Sequence, residues 1–537
     1  MNRTRTISVL ALATALGWAV PARAQSAADF ATMKAQMEAM QAQLDAMKGK
    51  VDTLESQLSA AQTEAQSATA AAQSANVTAT KASEVATKTA AAAPKIAWKA
   101  APEFSGPDGF SFKPRGRLHL DAGTISTPGS LVSANLGFAS RARRVRLGAE
   151  GTVPGGFGYK VEADFANAGV AFGDVWLSYT PGNAPIQVRV GNFETLNGLE
   201  QISSSNFVTF IERAAFNDAF INVRRLGGAV AVHSKNDDWR VEAGLFAGHS
   251  IDASLDNDGY IAAGRLVYAP KALGGQLHFG ANFQYRDFAS NTGGAASNSL
   301  GAPSAGQLAR YRARPNTQLT DLRFVDTGSF AAKNDRIVGG EAAAIFKGLY
   351  VAGEAQWLKA NAYSSGDRTR GLDAFSGNNV AVVPTADPGF FGGYAEIGYF
   401  LTGETRGYAR GSGTWARTKV LDPVSKGGIG AFQIAARVER VDLDDDSLVS
   451  GPTNDFTSGL TTLAPLSGRL GRGGKQTSYL VALNWQPVDY VRFLIDYGRV
   501  NVEGGPLAAQ VDPLSTIAID RRKYGVDLFQ TRMQIDF

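Results

Sequence analysis

The residues best equipped for chemistry in this sequence are arginines. Arg310, Arg312 and Arg314, in the stretch LARYRARP, recur at every second position. In extended backbone they would project from one face at intervals of roughly 6.6 Å, two residues of about 3.3 Å each. A guanidinium stays charged and offers a planar fork of donors, which suits it to oxyanions. Several such groups in series can replace part of an anion's hydration shell while keeping each step shallow enough to leave. Arg117, Arg144, Arg146, Arg189 and Arg286 fall on the polar positions of alternating stretches and extend the set. The competing reading pairs them with Glu150, Glu162 and Asp164, or sets them against phosphates outside. Arg240 and Arg265 are expected away from any narrowing.

Other chemistry is poorly represented. The chain has no cysteine, which removes disulfides, thiolate zinc sites and thiol nucleophiles together. Its histidines, His119, His233, His249 and His278, show no metal-ligand spacing, and His119 and His278 read as polar lining. GRLGRGGK at 468–475 lacks the spacing and the strand-to-helix setting of a phosphate loop. Catalysis, cofactors, metals and nucleic-acid partners are therefore not expected.

The elements that must carry the arginines begin after an export signal. Arg3 and Arg5 precede an apolar run from Ile7 to Val20, and Ala22-Arg23-Ala24 supplies the small residues of a cleavage site. Residues 1–24 read as a signal peptide. They hold three arginines and no acid, so the formal net charge of +4 falls to about +1 on cleavage and says nothing about partners. Beyond them no apolar run is long enough for a membrane helix.

Phe30, Met33, Met37, Met40, Leu44, Met47, Val51, Leu54 and Leu58 follow at steps of three and four, a seam that a lone helix cannot bury. The same register continues on alanine to Ala93, and Pro94 ends it. Residues 25–95 therefore read as an α-helical coiled-coil stalk, whose register 30–93 would be about 95 Å long if fully helical, and as a sign of an oligomer. Residues 96–109 read as a linker.

From Phe110 the period changes to two. Tyr159, Val161, Ala163 and Phe165 alternate with Lys160, Glu162 and Asp164, and Tyr479, Val481, Leu483 and Trp485 repeat the scheme. Aromatics recur near strand ends and the polar face is charged, as a membrane girdle and a wet lumen require. Tight turns such as Pro154-Gly155-Gly156 and Lys347-Gly348 alternate with long connections at 194–222, 288–334, 361–389, 444–476 and 503–522. That parity predicts, over 110–537, an all-β transmembrane barrel of about sixteen antiparallel strands, with short turns and both chain ends toward the periplasm. The long connection 403–428, on the turn side, breaks it. The terminal strand ends Met533, Ile535, Phe537 on one face, and Phe537 reads as a signal for the barrel-assembly machinery.

RRVRLGAEGTVPGGFGYKVEADFAN (143–167), VRVGNFETLNGLEQISSSNFVTFIER (188–213), YFLTGETRGY (399–408), GAFQIAARVERVDLDD (430–445) and NWQPVDYVRFLIDY (484–497) resemble the phosphate-selective porin O and P family. The resemblance implies a sixteen-stranded barrel, usually trimeric, with loops folded into the lumen. The expected function is an outer-membrane channel for passive uptake of phosphate or similar small anions. The alternatives are a general diffusion or sugar porin, and a tether from outer membrane to peptidoglycan through the stalk. Expected partners are outer-membrane lipid and lipopolysaccharide, small anions such as phosphate, the assembly machinery and two further copies of the chain.

Overall fold

The computed structural model describes residues 27–93, 95–133, 135–166, 169–182, 184–221, 223–251, 259–288, 308–363, 381–454, 461–465 and 472–537. The signal peptide expected over 1–24 lies outside the described residues. Two compact units form, 1–92 and 93–537. The first holds one helix, α1 (Ala27–Ala92), of 66 residues, roughly 100 Å at 1.5 Å per residue. Its seam residues from Phe30 to Leu58 are all exposed, between 49% and 66%.

In the second unit the stretch expected as a linker forms a hairpin instead, β1 (Lys95–Lys99) and β2 (Ala101–Ser105), turning at Ala100. Ile96 and Trp98 alternate with Lys95, Ala97 and Lys99, so the segment has the two-residue period that a hairpin needs.

Sixteen strands then close into a barrel. They are β3 (Ser111–Ile125), β4 (Gly137–Val153), β5 (Phe157–Asp164), β6 (Ala171–Tyr179), β7 (Ile186–Glu194), β8 (Arg224–His233), β9 (Trp239–Ala247) and β10 (Tyr260–Tyr268). β11 (Gly275–Asp287), β12 (Phe330–Phe346), β13 (Leu349–Ala362), β14 (Gly389–Phe400), β15 (Ala431–Asp442), β16 (Lys475–Val488), β17 (Val491–Glu503) and β18 (Lys523–Asp536) follow. Each pairs antiparallel with the next, and β18 returns to β3 from Leu528↔Ile125 to Asp536↔Arg117. Closure leaves no free edge, so every strand's backbone is satisfied within the hydrocarbon layer. Phe537 completes the seam. It exchanges two 3.0 Å backbone hydrogen bonds with Gly116, and its ring occupies the space a Gly116 side chain would need.

The alternation read from the sequence holds. On β17, Phe493, Ile495 and Tyr497 are exposed to lipid while Arg492, Leu494 and Asp496 are buried. One interruption matters for function. The β3–β4 ladder runs His119↔Arg144 and then Leu120↔Ala142, so Arg143 is an extra residue in a β-bulge. Strict alternation would send Arg141 and Arg143 outward if Arg144 and Arg146 face in. The bulge flips the register, and the run RARRVR presents all its arginines to the interior, as their partners show: Gln318, Glu212, His119 and Glu162.

Candidate functional site

Segment 195–223, which joins β7 to β8, crosses the barrel interior. Its partners lie on β13, β15, β17, β18, β3 and β4, a spread reachable only from inside. Two short helical turns, α2 (Leu199–Ile202) and α3 (Ala215–Ala219), leave most of its backbone groups without internal partners, and the wall supplies them. Glu354 accepts from the Glu200 N–H at 2.7 Å, Asp496 from Ile211 at 2.7 Å and Glu439 from Ala215 at 3.1 Å. Arg492 donates to the carbonyls of Asn206 and Val208, and Arg532 to that of Ile211. An unmet buried backbone group costs about 1–3 kcal/mol, so these side chains determine where the segment can lie. Glu212 bridges Arg143 at 2.8 Å and Arg532 at 2.9 Å. Burial opposes its ionisation, yet those two guanidiniums outweigh burial and hold the carboxyl well below the usual range.

The strongest tie is Arg437 on β15. Its guanidinium reaches Glu200 at 2.5 Å, Glu396 at 2.6 Å and Glu439 at 3.7 Å, with Phe210 and Tyr394 rings each 4.5 Å away. Around it the inward faces of β12–β15 carry Asp335, Glu341, Glu354, Glu396 and Glu439. The arginine-rich bulge of β4 faces Glu212 instead, so the lumen wall differs in charge around its circumference.

A second segment, 308–329, enters from the loop side. Tyr311 donates to Asp335 at 2.6 Å, Asn316 bonds Ser478, and Arg141 donates to the Gln318 carbonyl. The three alternating arginines lie here, but they are not three free cations. Arg310 bridges Asp326 at 2.6 Å, and Arg314 bridges Asp218 at 3.5 Å and Asp321 at 3.1 Å. Arg312 has no carboxylate within ion-pair distance among the described residues. A cavity of about 140 Å³ opens between the two segments, lined by Arg143, Glu212, Arg213, Asp218, Arg314 and Asn316. That is room for a few water molecules at about 30 Å³ each.

The turn-side connection that broke the parity is a third inward segment, 401–430. Arg240 donates to the Gly411 carbonyl and Arg265 to that of Gly413. Arg417 pairs with Asp536, and Tyr408 bonds His278 at 2.6 Å. Arg406 stacks on Tyr350 and Trp415, at 4.9 and 4.7 Å, and donates to the Phe207 carbonyl of the first segment at 2.6 Å. Arg240 and Arg265 thus stand inside the barrel, against the third segment. Both lie on alternating strands, but their partners come from a distant segment that no local pattern names.

The remaining arginines divide by partner. Arg117 and Arg146 share Glu162, Arg146 also holds Asp164, and Arg286 holds Asp335. Arg189 stacks between Trp176 at 5.0 Å and Phe193 at 5.2 Å, and Arg144 touches His119 at 3.4 Å. Among the described residues Arg144, Arg189, Arg213, Arg312, Arg406 and Arg492 have no carboxylate within ion-pair distance. Sequence reasoning missed Arg213, Arg406 and Arg492. Arg406 and Arg492 sit in the family-like stretches YFLTGETRGY and NWQPVDYVRFLIDY, and Arg213 closes a third, which was the available signal.

A family model for phosphate-selective porin O and P matches residues 112–537. The chain belongs to this family. It is therefore an outer-membrane porin, a channel rather than an enzyme. An uncharacterized protein of Caulobacter vibrioides is 34% identical over 452 residues, 82% of this chain and 77% of the relative. Porin O of Pseudomonas aeruginosa is 28% identical over 354 residues, 64% of this chain and 75% of the relative. Among solved structures, an anion-selective porin from Comamonas acidovorans covers 80% of this chain and 100% of its own at 11% identity, with a TM-score of 0.44. The outer membrane channel DcaP of Acinetobacter baumannii covers 81% and 99% at 12% identity, with a TM-score of 0.42. Among the described residues of the porin, no group of three or more histidine, cysteine or acidic side chains could hold a metal ion.

Proposed function

We propose that this porin passes small oxyanions, phosphate among them, through a constriction formed by its three inward segments. The observation that carries the reading is the surplus of guanidiniums there. Arg144, Arg213, Arg312, Arg406 and Arg492 lie on or against the inward segments without a carboxylate partner. A fixed cation of this kind attracts an anion and repels a cation by about 2 kcal/mol at 8 Å for an effective dielectric near 20. The family description adds phosphate as the candidate substrate. Reversal potential in a planar bilayer under a chloride gradient tests the reading. The expected result is anion preference, with chloride current blocked by millimolar phosphate. Cation preference would replace this reading with a general diffusion porin, and anion preference without block would leave a non-selective anion channel.

The helix supports a second proposal, that α1 is a periplasmic stalk joining the chain into a homotrimer. Nine large apolar side chains at heptad spacing stay solvent-exposed in a single copy. β3 starts at the short-turn end of the barrel, which faces the periplasm. Residues 25–95 expressed alone should sediment as a helical trimer. A helical monomer at high micromolar concentration would remove the stalk from the assembly.

A further inference from the structure

On the lipid-facing side of the barrel, several outward cations among the described residues are neutralised by a neighbour. Near the loop ends of the strands, Arg440 lies 3.0 Å from Asp442 and Arg499 lies 2.7 Å from Asp527. Arg336 on β12 and Lys359 on β13 differ. They are direct cross-strand partners, both exposed on the outer face. Such partners have Cβ atoms about 5 Å apart, and like charges in that position destabilise the pair. Neither has a carboxylate within ion-pair distance among the described residues, and Lys359 donates only to the Asp387 carbonyl. Asp445 meets the Lys359 charge only at longer range, so the two adjacent cations would gain from a shared anion between them.

Their surroundings indicate which anion. One step toward the membrane centre, Trp357 packs on Phe391 at 5.4 Å, and beside Arg336 stands Tyr285, paired with Tyr260 at 5.9 Å. Aromatic rings at this height mark the interface between headgroups and hydrocarbon. The loop ends of the strands face outward, so this interface belongs to the outer leaflet. Below the rings the wall is recessed. Ala342, Gly353 and Ala395 are cross-strand neighbours in one row, flanked by Phe279, Ile397 and Tyr479, and they floor a concavity of about 830 Å³. It begins six residues along the strand from Arg336 and Lys359, about 20 Å of strand or some 15 Å of depth at a tilt near 40°. That depth reaches the middle of a hydrocarbon layer about 30 Å thick.

We infer that this wall holds a phosphorylated glycolipid of the outer leaflet, the lipid A part of lipopolysaccharide, with a phosphate between Arg336 and Lys359 and an acyl chain over the recess. A cationic pair above a deep apolar hollow matches an amphiphile that carries phosphate at its head and several chains beneath. It would also remove the repulsion between the two cations, so the bound lipid becomes part of the wall.

Native mass spectrometry of detergent-purified porin, with added bisphosphorylated lipid A or phosphatidylglycerol, tests this. The parent should retain lipid A in preference to phosphatidylglycerol. The pair Arg336→Gln and Lys359→Gln should retain it at least fivefold less, and Arg336→Lys with Lys359→Arg should retain it nearly as well as the parent. Arg440→Gln, an outward cation already paired with Asp442 and not part of the recess, should behave as the parent. If the double glutamine variant fails to give a heat-modifiable folded band, the single variants replace it, each expected to weaken retention. Retention by the glutamine variants equal to the parent's, or equal uptake of phosphatidylglycerol by the parent, would overturn the site. Reversal potential should not change in any of these variants, which separates this result from the channel's selectivity.

Discussion

Replacing Arg437 by alanine is expected to widen the channel while leaving the barrel folded. The side chain is the cation around which Glu200, Glu396 and Glu439 gather, and Glu200 belongs to the inward segment 195–223. Removing it leaves three buried carboxylates without a counter-charge, and breaking a buried ion pair this way costs about 3–5 kcal/mol. The barrel ladder does not pass through Arg437's side chain, so the strain falls on the segment, which can relieve it by moving off the wall. Single-channel conductance should rise and become noisy, with the heat-modifiable band retained. Arg437→Lys keeps the charge but loses the fork that reaches Glu200 and Glu396 together, and should lie between. Adding Glu396→Gln and Glu439→Gln to the alanine variant removes two of the uncompensated charges and should lower the conductance again. A folded alanine variant with parental conductance would mean that the segment is held without Arg437, by its other bonds to the wall such as those to Glu354, Asp496, Arg492 and Arg532.

Replacing Arg144 and Arg312 together by glutamine is expected to cut the anion-to-cation permeability ratio by about tenfold, equivalent to roughly 1.4 kcal/mol. These two are chosen because they have few structural partners. Among the described residues Arg144 makes one side-chain hydrogen bond, to His119, and Arg312 lies between two arginines whose charges are already answered. Arg310→Gln and Arg314→Gln should affect selectivity less and segment order more, since each breaks a bond to an acid rather than removing a free charge. Lysine at 144 and 312 should preserve anion preference but weaken phosphate block, because a point charge does not reproduce the two parallel hydrogen bonds of a guanidinium. An unchanged reversal potential in the glutamine pair would move the selectivity to Arg213, Arg406 and Arg492. Those three hold loop carbonyls as well, so the same measurement on them needs a conductance control.

The barrel was legible in the sequence because its causes are local. A strand with lipid on one side and water on the other must alternate, and a chain that crosses a membrane repeatedly with one short-turn end must alternate its connection lengths. Tyr479, Val481 and Leu483 carry the first rule, and Lys347-Gly348 against 361–389 the second. The heptad seam of α1 was legible for the same reason, one period on one element. The site was only partly legible. Arg310, Arg312 and Arg314 do lie within the barrel, but periodicity could not show that Asp326, Asp218 and Asp321 would answer two of them. Nor could it show the bulge at Arg143, where one extra residue exchanges the inside and outside of a strand and turns all the arginines of RARRVR inward. The turn-side segment 401–430 looked like an exception to a rule and is a structural element, visible only through its contacts with Arg240, Arg265, His278 and Asp536. Which cations are free and which are ties depends on partners from strands far apart in sequence that closure brings face to face. Local pattern therefore fixes which side of the wall a residue occupies except where a bulge shifts the register, and the tertiary structure decides whether its charge is left for a passing ion.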